Sequence, residues 1–204
     1  NIYPAHLDYF RNFKEYFSTK ANITNYQKED AYLIYNSDDK FVKEIAAKSK
    51  AKKISFSSNL SFLKKNKELL INGLNPSNLA AAISVTKIFN VGDKTIIKAL
   101  KNFKNQPHRL EYVGNFKHID FYNDSASTVP ESTIWAIIVL KDKLQTIILG
   151  GFENNVSFQR LAKEIIKNKI KNLILFPTTG EKIWRNVRRI DKKKKINPFF
   201  VNNM

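Results

Sequence analysis

Arg109 and Asp124 are the residues of this 204-residue chain whose types and spacing best suit chemistry. Arg109 stands in Pro107-His108-Arg109-Leu110-Glu111, and Asp124 in Tyr122-Asn123-Asp124-Ser125-Ala126-Ser127-Thr128-Val129-Pro130. The stretch between them predicts a strand pair, which brings the two segments to one end of neighbouring strands. A guanidinium takes phosphate oxygens in a planar fork and a carboxylate accepts from sugar hydroxyls, so the two together suit a nucleotide. Plain structural readings stand beside this one: a salt bridge from Arg109 to Glu111, and a turn at Asp124-Ser125 with local side-chain caps.

Three further constellations are weaker singly. His6-Leu7-Asp8 precedes an aromatic-rich helix that carries Lys20 near its end; alone it reads as a capping Asp beside a surface His. Asn75-Pro76-Ser77-Asn78 opens a helix and offers amides and backbone N–H groups to an anion or a base, or simply caps the helix. Gly150-Gly151 ends a predicted strand, where glycine also relieves crowding. Their order along the chain carries more than any one of them.

The elements that must position these residues follow from periodicity. Asp8 to Ala21 has aromatics at helical spacing; Ala31–Tyr35 and Ile54–Ser57 read as strands flanking a short helix over Phe41–Ala47. Leu69–Gly73 reads as a strand or its end. Pro76 opens an alanine-rich helix to Phe89, and Asp93–Phe103 is another, capped at Gly92 or Asp93. Gln106-Pro107 marks a domain boundary, dividing residues 1–106 from 107–204. Beyond it, Leu110–Val113 and Ile119–Tyr122 are strands around a turn at Gly114-Asn115. Helix Pro130–Leu140, strand Gln145–Leu149, helix Phe158–Lys167, strand Asn172–Phe176 and helix Thr179–Arg189 follow, with a further strand at Pro198–Val201. This alternation predicts an α/β fold with a mostly parallel sheet and crossover helices. Ligands bind beyond the carboxyl ends of such strands, where Asp124–Thr128 and Gly150–Asn155 fall.

Composition narrows the classes. An apolar share of 43% supports real cores, and no run approaches the roughly 20 apolar residues of a membrane span. Zero cysteines exclude disulfides, thiolate metal sites and a cysteine nucleophile. No signal peptide is visible, which is compatible with the cytoplasm. The formal charge of +17 is nearly all lysine spread along the chain, with Lys192–Lys195 as the densest run. It reads as solvated surface ahead of a nucleic-acid footprint. The start at Asn1 inside a patterned segment, and the end just after a predicted strand, suggest a piece of a longer protein.

Taken in order, these segments resemble the Mur ligase family, in its D-glutamate-adding branch, over nearly the whole chain. The resemblance implies the rear part of the ATP-binding central domain over 1–106 and an incomplete Rossmann-like C-terminal domain over 107–204. It implies ATP and Mg2+ as cofactors, with His6 and a CO2-modified Lys20 at the metal. Asn75 and Asn78 lie at the helix start near the adenine, Arg109 faces ATP phosphate, and Asp124 contacts the nucleotide. Ser125 and Thr128 belong to the loop that meets the incoming glutamate. The sequence Asp124-Ser125-x-x-Thr128 is the form of the D-glutamate-adding branch; other branches carry Asp-x-Ala-His or Tyr-Asn-Ala there. The implied activity joins D-glutamate to UDP-N-acetylmuramoyl-L-alanine through an acyl phosphate, in peptidoglycan synthesis for cell-wall biogenesis, cell shape and division. Small-molecule partners, no membrane insertion, no nucleic acid and a monomeric full-length protein go with it.

The chain departs from that pattern in places. Asn154 stands where the family places a basic residue for the glutamate carboxylate, Ala126 replaces a frequent lysine, and Leu74 a frequent histidine. A neutral amide binds carboxylate about half as strongly as a charged donor. The phosphate loop Gly-x-x-x-x-Gly-Lys-[Ser/Thr] does not occur in the chain. The 204 residues alone are therefore expected to be inactive. Two alternatives stay open: a ligase for another amino acid, and a degenerate nucleotide- or nucleic-acid-binding module without catalysis.

Overall fold

A computed structural model describes residues 1–66, 74–152, 155–193 and 195–202. The chain forms two units, one of Asn1–Tyr3 with Asn12–Gln106, the other of Pro4–Arg11 with Pro107–Met204.

In the first unit, β1 (Tyr32–Asn36) and β2 (Lys52–Phe56) pair in parallel with Ile34 opposite Ile54. Parallel strands need a crossover, and α2 (Lys40–Lys48) supplies it, capped by Asp39, whose side chain accepts from the Phe41 and Val42 N–H groups. Strand alternation sends neighbouring residues to opposite faces. Leu33 therefore packs with Ala46 and Ala51, while Ile34 meets a cluster of Phe56, Leu63, Leu79, Ala80, Ile83 and Ile96. That second cluster comes from β2, α3 (Ser61–Lys65), α4 (Pro76–Ile88) and α5 (Asp93–Lys101).

Helix α1 (Phe13–Asn25) starts later than the aromatic spacing predicts. Asn12 accepts from the Glu15 N–H as its cap, and ahead of it Tyr9 and Phe10 donate their N–H groups to the His6 carbonyl in a turn. Phe13 and Phe17 pack on Phe41, with ring centroids at 4.9 and 5.8 Å, whereas Tyr9 is 83% exposed. The strand predicted over Leu69–Gly73 lies outside the described residues. Helix α3 is a single short turn of five residues, too brief to show a period in the sequence.

In the second unit, β5 (Thr146–Gly151), β6 (Asn172–Thr178) and β7 (Asn197–Phe200) form a parallel sheet in that order. Helices α6 (Pro130–Leu140), α7 (Gln159–Lys167) and α8 (Gly180–Ile190) pack with it around Ile137, Leu161, Ile165, Leu173, Leu175 and Val187. Each such side chain, fully removed from water, contributes roughly 1.5–3 kcal/mol. Leu173 and Leu175 alternate with Ile174, so Ile148, Ile174 and Phe199 make a row along the other face by register. Two of the row are more than half exposed, Ile148 at 57% and Phe199 at 52%.

Strands β3 (Glu111–Phe116) and β4 (Ile119–Asn123) form an antiparallel hairpin that departs from the sequence reading twice. Its turn is at Lys117-His118, both at positive φ (50° and 65°), not at Gly114-Asn115. Gly114 sits instead at a register shift after Tyr112, facing Phe121 with φ 153°, the conformation a bulge asks of glycine. Among the described strands β4 pairs only with β3, so the hairpin stands apart from the three-stranded parallel sheet rather than within its alternation.

Candidate functional site

The loop after β4 is tied back to the segment before β3 by a ladder of bonds. Leu110 N–H donates to Asp124 Oδ1 at 2.9 Å, and the Ser127 hydroxyl donates to Asp124 Oδ2 at 2.6 Å. Ala126 N–H donates to the His108 carbonyl at 3.1 Å, and Ser127 N–H to the Asp124 carbonyl at 2.9 Å. The His108 N–H donates to Glu111 Oε2 at 2.8 Å, and its ring Nδ1 lies 2.8 Å from Asn123 Nδ2. Asn123 Oδ1 accepts from Ser125 N–H at 3.0 Å, the local turn that Asn and Asp favour.

These bonds hold an unusual backbone. His108 and Leu110 both have positive φ, 64° and 47°, and Arg109 lies between them. Non-glycine residues reach that region only where the surroundings over-determine them. The Arg109 side chain is exposed and has no hydrogen bond or ion pair among the described residues. The sequence placed Arg109 and Asp124 at one end of a strand pair. In the structure the carboxylate meets the backbone next to Arg109, not its guanidinium. Ser125 and Thr128 are exposed on the same loop. Asn154 lies outside the described residues.

Asn75 caps α4 with its side-chain oxygen on the Ser77 N–H at 2.9 Å, and Pro76 opens the helix behind it. The Ser77 hydroxyl accepts from Asn36 Nδ2 at 3.1 Å and from Asn1 Nδ2 at 3.3 Å. Asn36 is buried at the carboxyl end of β1, so the start of α4 sits beside the strand end where parallel sheets place ligands. Asn78 is exposed in the first turn of α4. Nearby, Asp38 accepts from the Ser58 N–H and from the Ser58 and Ser57 hydroxyls at 2.7–3.0 Å. The Ser58 backbone bond, followed by the two hydroxyls, holds its carboxyl below the ordinary aspartate range.

His6 is exposed in the second unit, and Lys20 is exposed on α1 of the first, its ammonium 5.4 Å from the Tyr16 ring centre. Among the described residues no group of three or more His, Asp or Glu is placed to hold a metal. An ammonium offers no lone pair, so Lys20 fits magnesium only as a carbamate. In the second unit the Arg109 guanidinium stands without a partner among the described residues, and in the first unit side-chain amides stand at a helix start. What the sequence reading missed is the internal work of His108, Asn123 and Ser127. Their bonds to one another, to Asp124 and to Glu111 go with positive-φ geometry at His108 and Leu110 that residue type alone does not announce.

The family model described as "Mur ligase middle domain" matches residues 1–69. The UDP-N-acetylmuramoylalanine–D-glutamate ligase of Thermoanaerobacter sp. (strain X514) is 32% identical over 211 aligned positions, 93% of this chain and 46% of the relative. The chain belongs to the Mur ligase family. The ligase of the same name from Bacillus cereus (strain AH187) is 32% identical over 91% of the chain and 44% of its own length. This Mur ligase chain thus spans about half the length of the curated relatives it matches. A murein peptide ligase from Psychrobacter arcticus 273-4 shares the fold, with a TM-score of 0.59 and 14% identity, covering 95% of this chain and 48% of that one. No helix among the described residues is long and apolar enough to cross a membrane.

Proposed function

We propose that the chain is part of an ATP-dependent ligase that adds D-glutamate to UDP-N-acetylmuramoyl-L-alanine. The observation that carries this is the similarity to D-glutamate ligases along nearly all of the chain. It includes the Arg109 segment and the Asp124 loop that the structure ties together. Residues 1–106 are read as the rear of the central domain and 107–204 as a C-terminal domain. ATP and Mg2+ are the cofactors of this reading, and the cytoplasm its location.

In the reaction so proposed, a substrate carboxylate oxygen takes the γ-phosphoryl group as the bond to ADP breaks. The amine of D-glutamate then attacks the acyl carbon, phosphate leaves, and the new amide nitrogen loses a proton. Such transfers need charge neutralisation and positioning more than a covalent catalyst. Arg109 supplies a fixed positive charge for phosphate, and Asn75 and Asn78 supply donors and acceptors at the adenine. Asp124 takes nucleotide hydroxyls, while Ser125 and Thr128 meet the amino acid. His6 and a carbamylated Lys20 are the chain's contributions to magnesium. Asn154, neutral where relatives of this branch carry a base, favours a second reading in which another amino acid is joined.

The test is a chimera in which this chain replaces the matching half of the Thermoanaerobacter ligase. Phosphate release that requires ATP, UDP-N-acetylmuramoyl-L-alanine and D-glutamate is expected. Release with a different amino acid, and none with D-glutamate, establishes the second reading. Salt-sensitive DNA binding by the chain, with no release in any chimera, overturns both.

A further inference from the structure

We infer that Ser127 is a positioning residue that acts through Asp124 to fix the backbone carrying Arg109; its functional half rests on the reading of Arg109 as a phosphate ligand. The terminal torsion of an aspartate side chain is broad, so one hydrogen bond leaves the carboxylate plane free to turn. Asp124 has two anchors on different oxygens: Leu110 N–H on Oδ1 at 2.9 Å and the Ser127 hydroxyl on Oδ2 at 2.6 Å. Bonds to an ionised acceptor are short and about twice as strong as neutral ones, and the Ser127 contact is the shorter of the two. The pair of anchors sets the plane, and the plane aims Oδ1 at the Leu110 N–H.

That N–H belongs to a residue at φ 47°, one position after Arg109, and the residue before Arg109 is at φ 64°. Ala126 N–H on the His108 carbonyl at 3.1 Å ties the other side of Arg109 to the same loop. Arg109 is thereby held from both neighbours while its own guanidinium stays unengaged. A hydroxyl on residue 127 is the smallest group that makes the second anchor. Alanine there leaves every backbone bond of the loop in place and removes only the brace on Asp124.

The experiment uses the full 204-residue chain and its Ser127→Ala and Ser127→Thr forms. Amide hydrogen exchange at Leu110 and the Arg109 Nε–Hε resonance are measured on the chain, and ATP affinity on the chimera in which it replaces the matching half of the Thermoanaerobacter ligase. Ser127→Ala is expected to speed Leu110 exchange and to weaken ATP binding, each by about tenfold. The Arg109 resonance broadens, core amides such as Leu161 keep their protection, and Ser127→Thr restores all three readouts. Unchanged exchange at Leu110 in Ser127→Ala overturns the brace whatever ATP does. Faster exchange with unaltered ATP affinity overturns the positioning role. Equal ATP affinity of that chimera with Arg109 and with Arg109→Ala, while Leu110 still responds, overturns the nucleotide reading of Arg109 and leaves the brace standing.

Discussion

A β-carbon on Gly150 would stand 2.5 Å from the Cβ of Phe176 and 2.6 Å from its carbonyl oxygen. Gly150 also has φ 149°, and the pairing of β5 with β6 slips between Leu149 and Gly151 at this point. The close approach of two strands, not freedom of the loop beyond, fixes glycine here. Gly150→Ala is therefore expected to destabilise the second unit by roughly 2 kcal/mol or more, since strand backbone and Phe176 must both shift. Chemical denaturation reads it; an unchanged midpoint contradicts the contact.

Arg109 carries charge but no packing, so function and stability separate at this position. Arg109→Ala is expected to weaken ATP binding about tenfold or more, with folding stability changed by no more than about 0.5 kcal/mol. Arg109→Lys restores charge without the planar fork and regains only part of the affinity. Calorimetric titration beside thermal melting tests this, and equal affinity in the alanine form removes Arg109 from the nucleotide site.

Asn75 has two ends with different tasks. Its oxygen caps α4 on the Ser77 N–H, and the amide nitrogen is the group proposed to serve the adenine. Asn75→Ala is expected to cost about 1 kcal/mol of stability through the lost cap. Asn75→Asp keeps the cap and replaces the amide donor by an acceptor, so it should retain the melting temperature and lose nucleotide affinity. If Asn75→Asp binds ATP like the parent, the residue is a cap and nothing more.

Asp38 predicts a pH dependence with a definite sign. Its folded carboxyl titrates below the ordinary value, so its contribution is present above the unfolded value of about 3.9. The contribution fades as pH falls through the lower folded value. Asp38→Asn should destabilise the chain at neutral pH by less than about 1 kcal/mol, because the exposed site is screened by water. The gap between parent and variant should close on acidification; a gap that persists at pH well below the folded value rules Asp38 out as its source.

Much of the architecture was legible where residues advertise backbone geometry. Pro76 and Pro130 open α4 and α6, Asp39 caps α2 from the polar turn after β1, and the two glycines close β5. The hairpin turn is not legible because Lys117 and His118 adopt positive φ, which their types do not signal, while Gly114, the residue type that suggests a turn, serves a bulge. The start of α1 is masked in the sequence because the aromatics at Tyr9 and Phe10 continue the helical spacing into a turn closed by the His6 carbonyl. At the candidate site the sequence supplied the ligating types, Arg109 and Asp124. The brace from Ser127 depended on two side-chain distances that spacing in the chain does not encode.

The row Ile148–Ile174–Phe199 gives the second unit an adhesive strip on one side of its sheet. The formal charge of +17 works against it by keeping copies apart. Screening reaches only about 10 Å at 0.1 M salt, so the repulsion fades as ions are added while apolar attraction does not. Ionic strength thus sets the colloidal balance of this chain, and low salt is the condition in which it stays dispersed.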